Sequence, residues 1–262
     1  MSEHYNLLID LGNTSIKTCL YRGSQGIDST LDIQIFENAK LMIAYFQEHS
    51  WRQVDELLPA VTVSSYRISK VVVSNVNNAR VEQQIKRLGQ VLSADVMFTQ
   101  TQASLFGLQN SYKTPTNMGV DRWIAMLACK HLCNDDFIVF DLGTAITTDA
   151  VVNNVHIGGW IAPGYMTLKS SLLQNTTRVF ADNFQLTQKT DFGTDTPECV
   201  ERGILSQIQG GFELAVKNMQ KYSNNFKIFV TGGDKSKINL SQFNNASYSD
   251  NLVLRGLTLF VD

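Results

Sequence analysis

The chain has 262 residues, of which 44% are apolar and 18% charged, and its formal net charge is −2. This is the composition of a soluble globular protein with a substantial core, in one large domain or two halves of ordinary size. With no Lys/Arg block, a general electrostatic grip on nucleic acid is excluded and any anionic ligand must be held locally.

Taken in order, Tyr5 to Leu11 reads as an apolar strand, and Ser15 to Tyr21 pairs back with it across Gly12 to Thr14. Lys17 lies on the returning strand, close enough to reach an anion held by the turn, although taken alone it reads as a solvated strand residue. Leu31 to Phe36 adds a third strand. Ala39 to His49 carries Leu41, Met42, Tyr45 and Phe46 at helical spacing. Lys70 to Ser74 is a buried strand ending in the polar run Asn75 to Asn78. Val81 to Leu88 predicts an amphipathic helix stopped by Gly89, and Asp95 to Thr99 a strand. The order β-β-β-α-β-α-β describes an α/β half with a mixed sheet. Ala103 to Met118 has no clean period and reads as an exposed connector.

A long helix is expected from Gly119, with Trp123, Ile124, Met126 and Leu127 turned to the core. Asp121 and Arg122 fall in its first turn. A carboxylate there suits the helix dipole, but an arginine opposes it, so Arg122 calls for another partner, such as an anionic ligand or a surface ion pair. Ile157 to Gly164 reads as a Gly-rich strand and turn, followed by a helix with Met166, Leu168, Leu172 and Leu173 apolar. Val179 to Gly193 reads as a loop. Thr196 is the expected N-cap of a helix running to about Met219, with Pro197 at its first position and Glu198 in its first turn. Gly203, Gly210 and Gly211 in that helix suggest close packing against another helix, across a subunit boundary if not within the chain. Phe226 to Val230 is a strand running into Thr231-Gly232-Gly233-Asp234, either a plain corner or the adenine side of a nucleotide site. Leu252 to Phe260 closes the chain as a helix.

Cys19, Cys129, Cys133 and Cys199 are too sparse for a disulfide scaffold. Cys129 and Cys133 share a helix face but lack a second pair of soft ligands, and they read as buried small residues. No apolar run reaches the roughly 18 to 20 residues of a membrane span, and no basic-then-apolar leader opens the chain, so the cytoplasm is the expected location.

One unit occurs twice. Asn6 to Leu20 contains Asp10, Gly12 and Thr14 after an apolar run, and Phe137 to Ala150 contains Asp141, Gly143 and Thr144 after another, half a chain length further on. Each hairpin places a carboxylate and backbone N–H groups on one tight turn, a combination suited to a phosphate and its cation. Asp-x-Gly after a strand is also ordinary turn chemistry, so the argument rests on the repetition. Two such turns facing each other would grip a nucleoside triphosphate between the halves.

In these motifs the chain resembles the type III pantothenate kinases of the actin-like/sugar-kinase/chaperone ATPase superfamily. DLGNTSIK at Asp10 to Lys17 is like the family's D-x-G-N-T-x-x-K phosphate segment. YKTPTNMGVDRW at Tyr112 to Trp123 is like its Tyr followed seven positions on by G-x-D-R. DLGTAITTD from Asp141, GGWIAPG from Gly158, Thr196 with Glu198, and LRGL near the C-terminus continue the match. The resemblance implies duplicated actin-like, ribonuclease H-like domains, each a mixed sheet flanked by helices, with the active site in the cleft between them. The halves would be 1–118 and 119–262.

The resemblance further implies that Asp10, Leu11, Gly12, Asn13, Thr14, Ser15, Ile16 and Lys17 line the ATP phosphates and that Thr144 contacts ATP. Asp121 would be the general base on the primary hydroxyl of pantothenate. Gly119, Val120 and Arg122 would hold that substrate, with Tyr112 and Thr196 completing its pocket. Asp141 would bind a monovalent cation, K⁺ or NH₄⁺, while Mg²⁺ accompanies ATP, and the protein would be a homodimer. The chain departs from the family's pattern at Asn75 to Asn78, at Arg178 and Val179, and at Cys199 and Val200. The hairpins alone also admit another small-molecule kinase, a polyphosphate hydrolase or a non-catalytic relative. The segment from Tyr112 to Arg122 argues for the pantothenate kinases.

Overall fold

A computed structural model describes residues 3–12, 14–23, 31–49, 66–75, 79–175 and 190–261. The elements are β1 (Glu3–Leu11), β2 (Ile16–Tyr21), β3 (Ile33–Phe36), α1 (Ala39–His49), β4 (Tyr66–Asn75), α2 (Ala79–Leu92), β5 (Asp95–Phe98), β6 (Ser104–Leu105) and β7 (Leu108–Gln109). They continue with α3 (Val120–Leu132), β8 (Asp136–Leu142), β9 (Ala145–Val152), β10 (Val155–Pro163), α4 (Tyr165–Gln174), α5 (Thr196–Met219), β11 (Phe226–Thr231), β12 (Ala246–Tyr248) and α6 (Leu252–Leu257).

The chain forms two compact units. One contains Met1–Phe106, Tyr112–Leu132 and Leu252–Asp262, the other Gly107–Ser111 and Cys133–Asn251. Compactness therefore does not follow the linear division at 118/119. α3 and α6 pack on each other and on β1 and β4, so tertiary burial returns both helices to the first unit.

In the first unit the sheet order is β3-β2-β1-β4-β5, with β1 antiparallel to β2 and parallel to β4. Leu7, Leu8 and Ile9 are all buried, as a central strand covered on both faces requires. Leu7, Ile9, Val71 and Val73 pack with Met42 and Phe46 of α1 and Ile85 and Leu88 of α2. Asn38 starts α1 by accepting the Leu41 N–H on its side chain at 3.1 Å. Gly89 does not end α2 as expected. Its missing Cβ makes room for Val96 of β5, and the helix runs three residues further to Leu92, followed by Ser93 in the left-handed region (φ 51°).

In the second unit the strands run β12-β11-β8-β9-β10-β7. β8 is antiparallel to β9 and parallel to β11, as β1 is to β2 and β4, so the five central strands of each unit share one order and one set of directions. The α/β class and the mixed sheets expected from the sequence are the ones observed. Ile138, Phe140 and Leu142 of β8 pack on Ile204, Ile208 and Phe212 of α5, with the Phe140 and Phe212 rings 4.7 Å apart. Cys19 and Cys129 are buried as expected, whereas Cys133 lies beyond the end of α3, half-buried, and Cys199 is exposed. Among the described residues, no helix is long and apolar enough to cross a membrane.

Gly256 of α6 lies so close to α3 that a Cβ there would overlap the Ile124 carbonyl oxygen and side chain. Gly256→Ala is expected to destabilise the protein by about 1–3 kcal/mol, the usual cost of overpacking. A chemical-denaturation midpoint equal to wild type would show that the two helices can part without loss.

Candidate active site

Asp10 is the penultimate residue of β1, opposite Lys17 across the hairpin and beside Ser74 on β4. Leu11 and Ile16 are buried at the base of the turn and can offer a ligand only their backbone. Gly12 keeps the turn tight, since a Cβ there would stand 3.0 Å from the Ser15 carbonyl oxygen. Thr14 is exposed, Ser15 and Lys17 are half-buried, and Asn13 lies outside the described residues. Ser74 is fully buried, and its hydroxyl has no hydrogen-bond partner among the described residues.

The segment from Tyr112 to Arg122 comes together at the head of α3. The Asp121 carboxylate accepts the Arg122 N–H at 2.8 Å. A Cβ on Gly119 would stand 2.6 Å from Asp121 Oδ1, so the glycine leaves that carboxylate its place. Arg122 is buried, donates from Nη1 to the Tyr112 hydroxyl at 2.9 Å, and lies 5.8 Å from the centre of the Tyr112 ring. That contact supplies the stabilisation an arginine lacks beside a helix N-terminus. Gly119 and Val120 line a pocket of about 380 Å³ whose other walls are Asn75, Thr99 to Thr101 and Thr116 to Met118. The pocket opens beyond the C-terminal ends of the parallel strands β4 and β5, where α/β sheets bind ligands. Sequence reasoning missed Thr99, Gln100 and Asn117 here. A polar run just after each parallel strand was the available signal.

In the second unit Asp141 occupies in β8 the place Asp10 has in β1, opposite Thr147 on β9 and Thr231 on β11. Gly232 adopts φ 94°, and a Cβ on it would stand 2.6 Å from Asp141 Oδ1, so the space beside that carboxylate exists only because residue 232 is glycine. Thr144 is exposed. Its carbonyl accepts the Gly164 N–H at 2.9 Å and the Thr167 hydroxyl at 2.7 Å, fixing the turn on the start of α4. Thr196 is the first residue of α5, exposed, and not the cap. Asp195 caps the helix by accepting the Glu198 N–H at 2.8 Å, while Glu198 accepts the Thr194 N–H at 2.9 Å. This is a variant of the capping box in which Glu198 reaches the residue before the cap, and Asp195 with Glu198 three residues on was its sequence signature. The loop expected over Val179 to Gly193 and the departure at Arg178 fall mostly outside the described residues.

Behind this end of the sheet lies a polar cluster that sequence reasoning did not find. Tyr165 donates to Oε2 of the buried Glu201 at 2.6 Å, and Glu201 Oε1 has no partner among the described residues. The Lys237 ammonium sits 4.0 Å from the Tyr165 ring centre. Burial, then the Glu201 carboxylate, pushes the Tyr165 phenol well above its ordinary pKa.

Two mixed sheets of one topology, each ending a central strand in an aspartate hairpin, define an actin-like α/β protein. In keeping with this, the chain is similar in fold to a Campylobacter jejuni protein described as a conserved Baf family transcriptional activator (TM-score 0.58, 22% identity, 97% of this chain and 96% of that one). It is also similar to the ethanolamine utilization protein EutJ of Carboxydothermus hydrogenoformans (TM-score 0.53, 14% identity, 98% and 89%). A sequence profile of the type III pantothenate kinases matches residues 6–218, and the chain belongs to that family. It is 30% identical to the type III pantothenate kinase of Pseudoalteromonas atlantica over 98% of both chains. Against that of Ectopseudomonas mendocina it is 33% identical over 69% of this chain and 75% of the relative.

Tyr165→Phe would leave the buried Glu201 carboxylate without a hydrogen bond from any described residue, and is expected to cost about 1–3 kcal/mol in chemical denaturation at neutral pH. Because the folded-state pKa of Tyr165 is raised, its stabilisation is present below the unfolded pKa of about 10 and lost as pH rises beyond it. The gap between wild type and variant should therefore narrow in alkali. A gap that widens there would contradict the hydrogen bond.

Proposed function

We propose that the chain transfers the γ-phosphoryl group of ATP to the primary hydroxyl of pantothenate, the first step toward coenzyme A, with Asp121 as general base. The observation that carries this reading is the family match over residues 6–218. A cytoplasmic location belongs to the same reading.

Phosphoryl transfer asks a protein for positioning, for positive charge along the triphosphate and for a base at the attacking hydroxyl. Asp121 takes the hydroxyl proton late in a loose transition state. The room left by Gly119 and the Arg122 N–H support a fixed carboxylate at that point. Arg122, oriented by Tyr112, pairs with the pantothenate carboxylate, which a guanidinium fork suits. Val120, Gly119 and Thr196 complete the substrate contacts. Lys17 and the backbone of residues 10–17, Asn13 included, hold the phosphates, and Thr144 contacts the nucleotide.

Among the described residues, no three His, Cys, Asp or Glu side chains cluster as a metal cage. Mg²⁺ would arrive on the triphosphate and take one or two carboxylates, here Asp10. Asp141 would hold a monovalent cation, whose bound charge would offset the negative charge of the nucleotide, and Gly232 lets the backbone pack close beside that carboxylate. A homodimer has support in the second unit. Trp160 (43% exposed), Ile161 (66%) and Met166 (59%) present apolar surface, and nothing within 4 Å fills the Cβ positions of Gly203, Gly210 and Gly211.

An ATP-consumption assay against pantothenate and a panel of small alcohols and sugars tests the substrate. Preference for another alcohol would make the protein a different small-molecule kinase. Asp121→Asn is expected to lower kcat by about 10²–10⁴ while calorimetry shows pantothenate still bound; near-wild-type turnover rules out the base. Activity should rise with K⁺ or NH₄⁺ and stay low in Na⁺, and indifference to the cation would remove Asp141 from its role.

A further inference from the structure

In the second unit one buried carboxylate is only half satisfied. Glu201, near the start of α5, accepts the Tyr165 hydroxyl on Oε2 at 2.6 Å, and its Oε1 has no partner among the described residues. His156 and Asp149, buried in the same unit, satisfy each other instead. The ring Nε2 stands 2.9 Å from Asp149 Oδ1, and Nδ1 is 3.1 Å from the Ser111 hydroxyl. A buried carboxylate that is partly hydrogen-bonded is a costly way to gain stability. What Glu201 holds in place explains it better.

It holds Tyr165, the one buried residue of α4, whose other side chains are exposed or half-buried. The tyrosine is thus the anchor of that helix, and the start of the helix is fastened to the hairpin turn after Asp141. The Gly164 N–H and the Thr167 hydroxyl both donate to the Thr144 carbonyl, and a Cβ on Gly164 would overlap the Gly143 carbonyl oxygen. The Tyr165 ring also carries the Lys237 ammonium on its face, and that ammonium lies 3.5 Å from the Asp234 carboxylate. The Asp234 N–H in turn donates to the Leu142 carbonyl at 3.0 Å, at the end of β8. Through short chains of contacts, one side chain reaches both turns beside the C-terminal end of β8.

We infer that Glu201 is a positioning residue that acts through Tyr165 to hold the Asp141–Thr144 turn and the Gly232–Asp234 corner where the nucleotide needs them. This rests on the reading of Thr144 as a nucleotide contact. Every residue in the chain of contacts belongs to the second unit. Glu201 touches no reacting atom, so its effect falls on nucleotide affinity and not on turnover.

The test compares Tyr165→Phe with Glu201→Gln in the full chain, well below their melting temperatures. In Tyr165→Phe the Kd for Mg²⁺-ATP, read by calorimetry without pantothenate, should rise about three- to tenfold, as for one lost hydrogen bond. The KM for ATP should follow it, while kcat and the KM for pantothenate change less than about twofold. Amide hydrogen exchange over residues 142–146 and 164–168 should quicken. In Glu201→Gln the amide oxygen still accepts the Tyr165 hydroxyl, so ATP affinity and exchange should stay within about twofold of wild type. ATP affinity unchanged in Tyr165→Phe overturns the inference, as does an equal loss in Glu201→Gln or a fall in kcat together with both substrate affinities. Failure of the wild-type protein to bind ATP would overturn the functional reading instead, and hydrogen exchange in Tyr165→Phe would still decide whether the turns are held this way.

Discussion

The architecture depends on burying a central strand on both faces. Leu7, Leu8 and Ile9 of β1 and Phe137 to Phe140 of β8 are all buried, so the middles of both strands admit only apolar side chains. A carboxylate can be carried only where the strand emerges, and both strands place an aspartate one residue before their C-terminal ends. The antiparallel return at each end then brings backbone amides and one facing side chain, Lys17 or Thr147, to the same turn. Burial thus confines the chemistry to strand ends and keeps the turns from drifting.

The same constraint acts on α3. Arg122 to Cys129 are all buried, so this helix is apolar nearly all round and cannot roll. A rigid helix gives its first turn a fixed position, and Asp121, Gly119, Arg122 and Tyr112 lock to one another there. Arg122 is the one strongly charged side chain in that buried run, and the Tyr112 hydroxyl and ring give it its partner. The pocket beside Gly119 and Val120 is lined by neutral polar residues such as Asn75, Thr99 and Gln100.

Much of this was legible in the residues. The two Asp-x-Gly hairpins, the onset of α3 and the limits of α1 and α5 follow from apolar periodicity and short motifs, which act over a few residues. Other features were misjudged for the same reason. Gly89 looked like a helix stop but serves close packing against Val96. Thr196 looked like a cap, although Asp195 has the better geometry. His156 and Asp149 gave no local sign of being a buried pair, because their meeting depends on the register of β9 with β10.

The sequence alone determined which stretches become strands and helices and which turns carry carboxylates, since backbone propensity and hydrophobic period are properties of neighbouring residues. Only the tertiary structure decided that α3 and α6 belong with the first sheet, that Gly119 and Gly232 make room beside Asp121 and Asp141, and that His156 reaches Ser111. Apart from Gly119 beside Asp121, each of these joins residues far apart in the chain, where burial of apolar faces and strand register decide what meets.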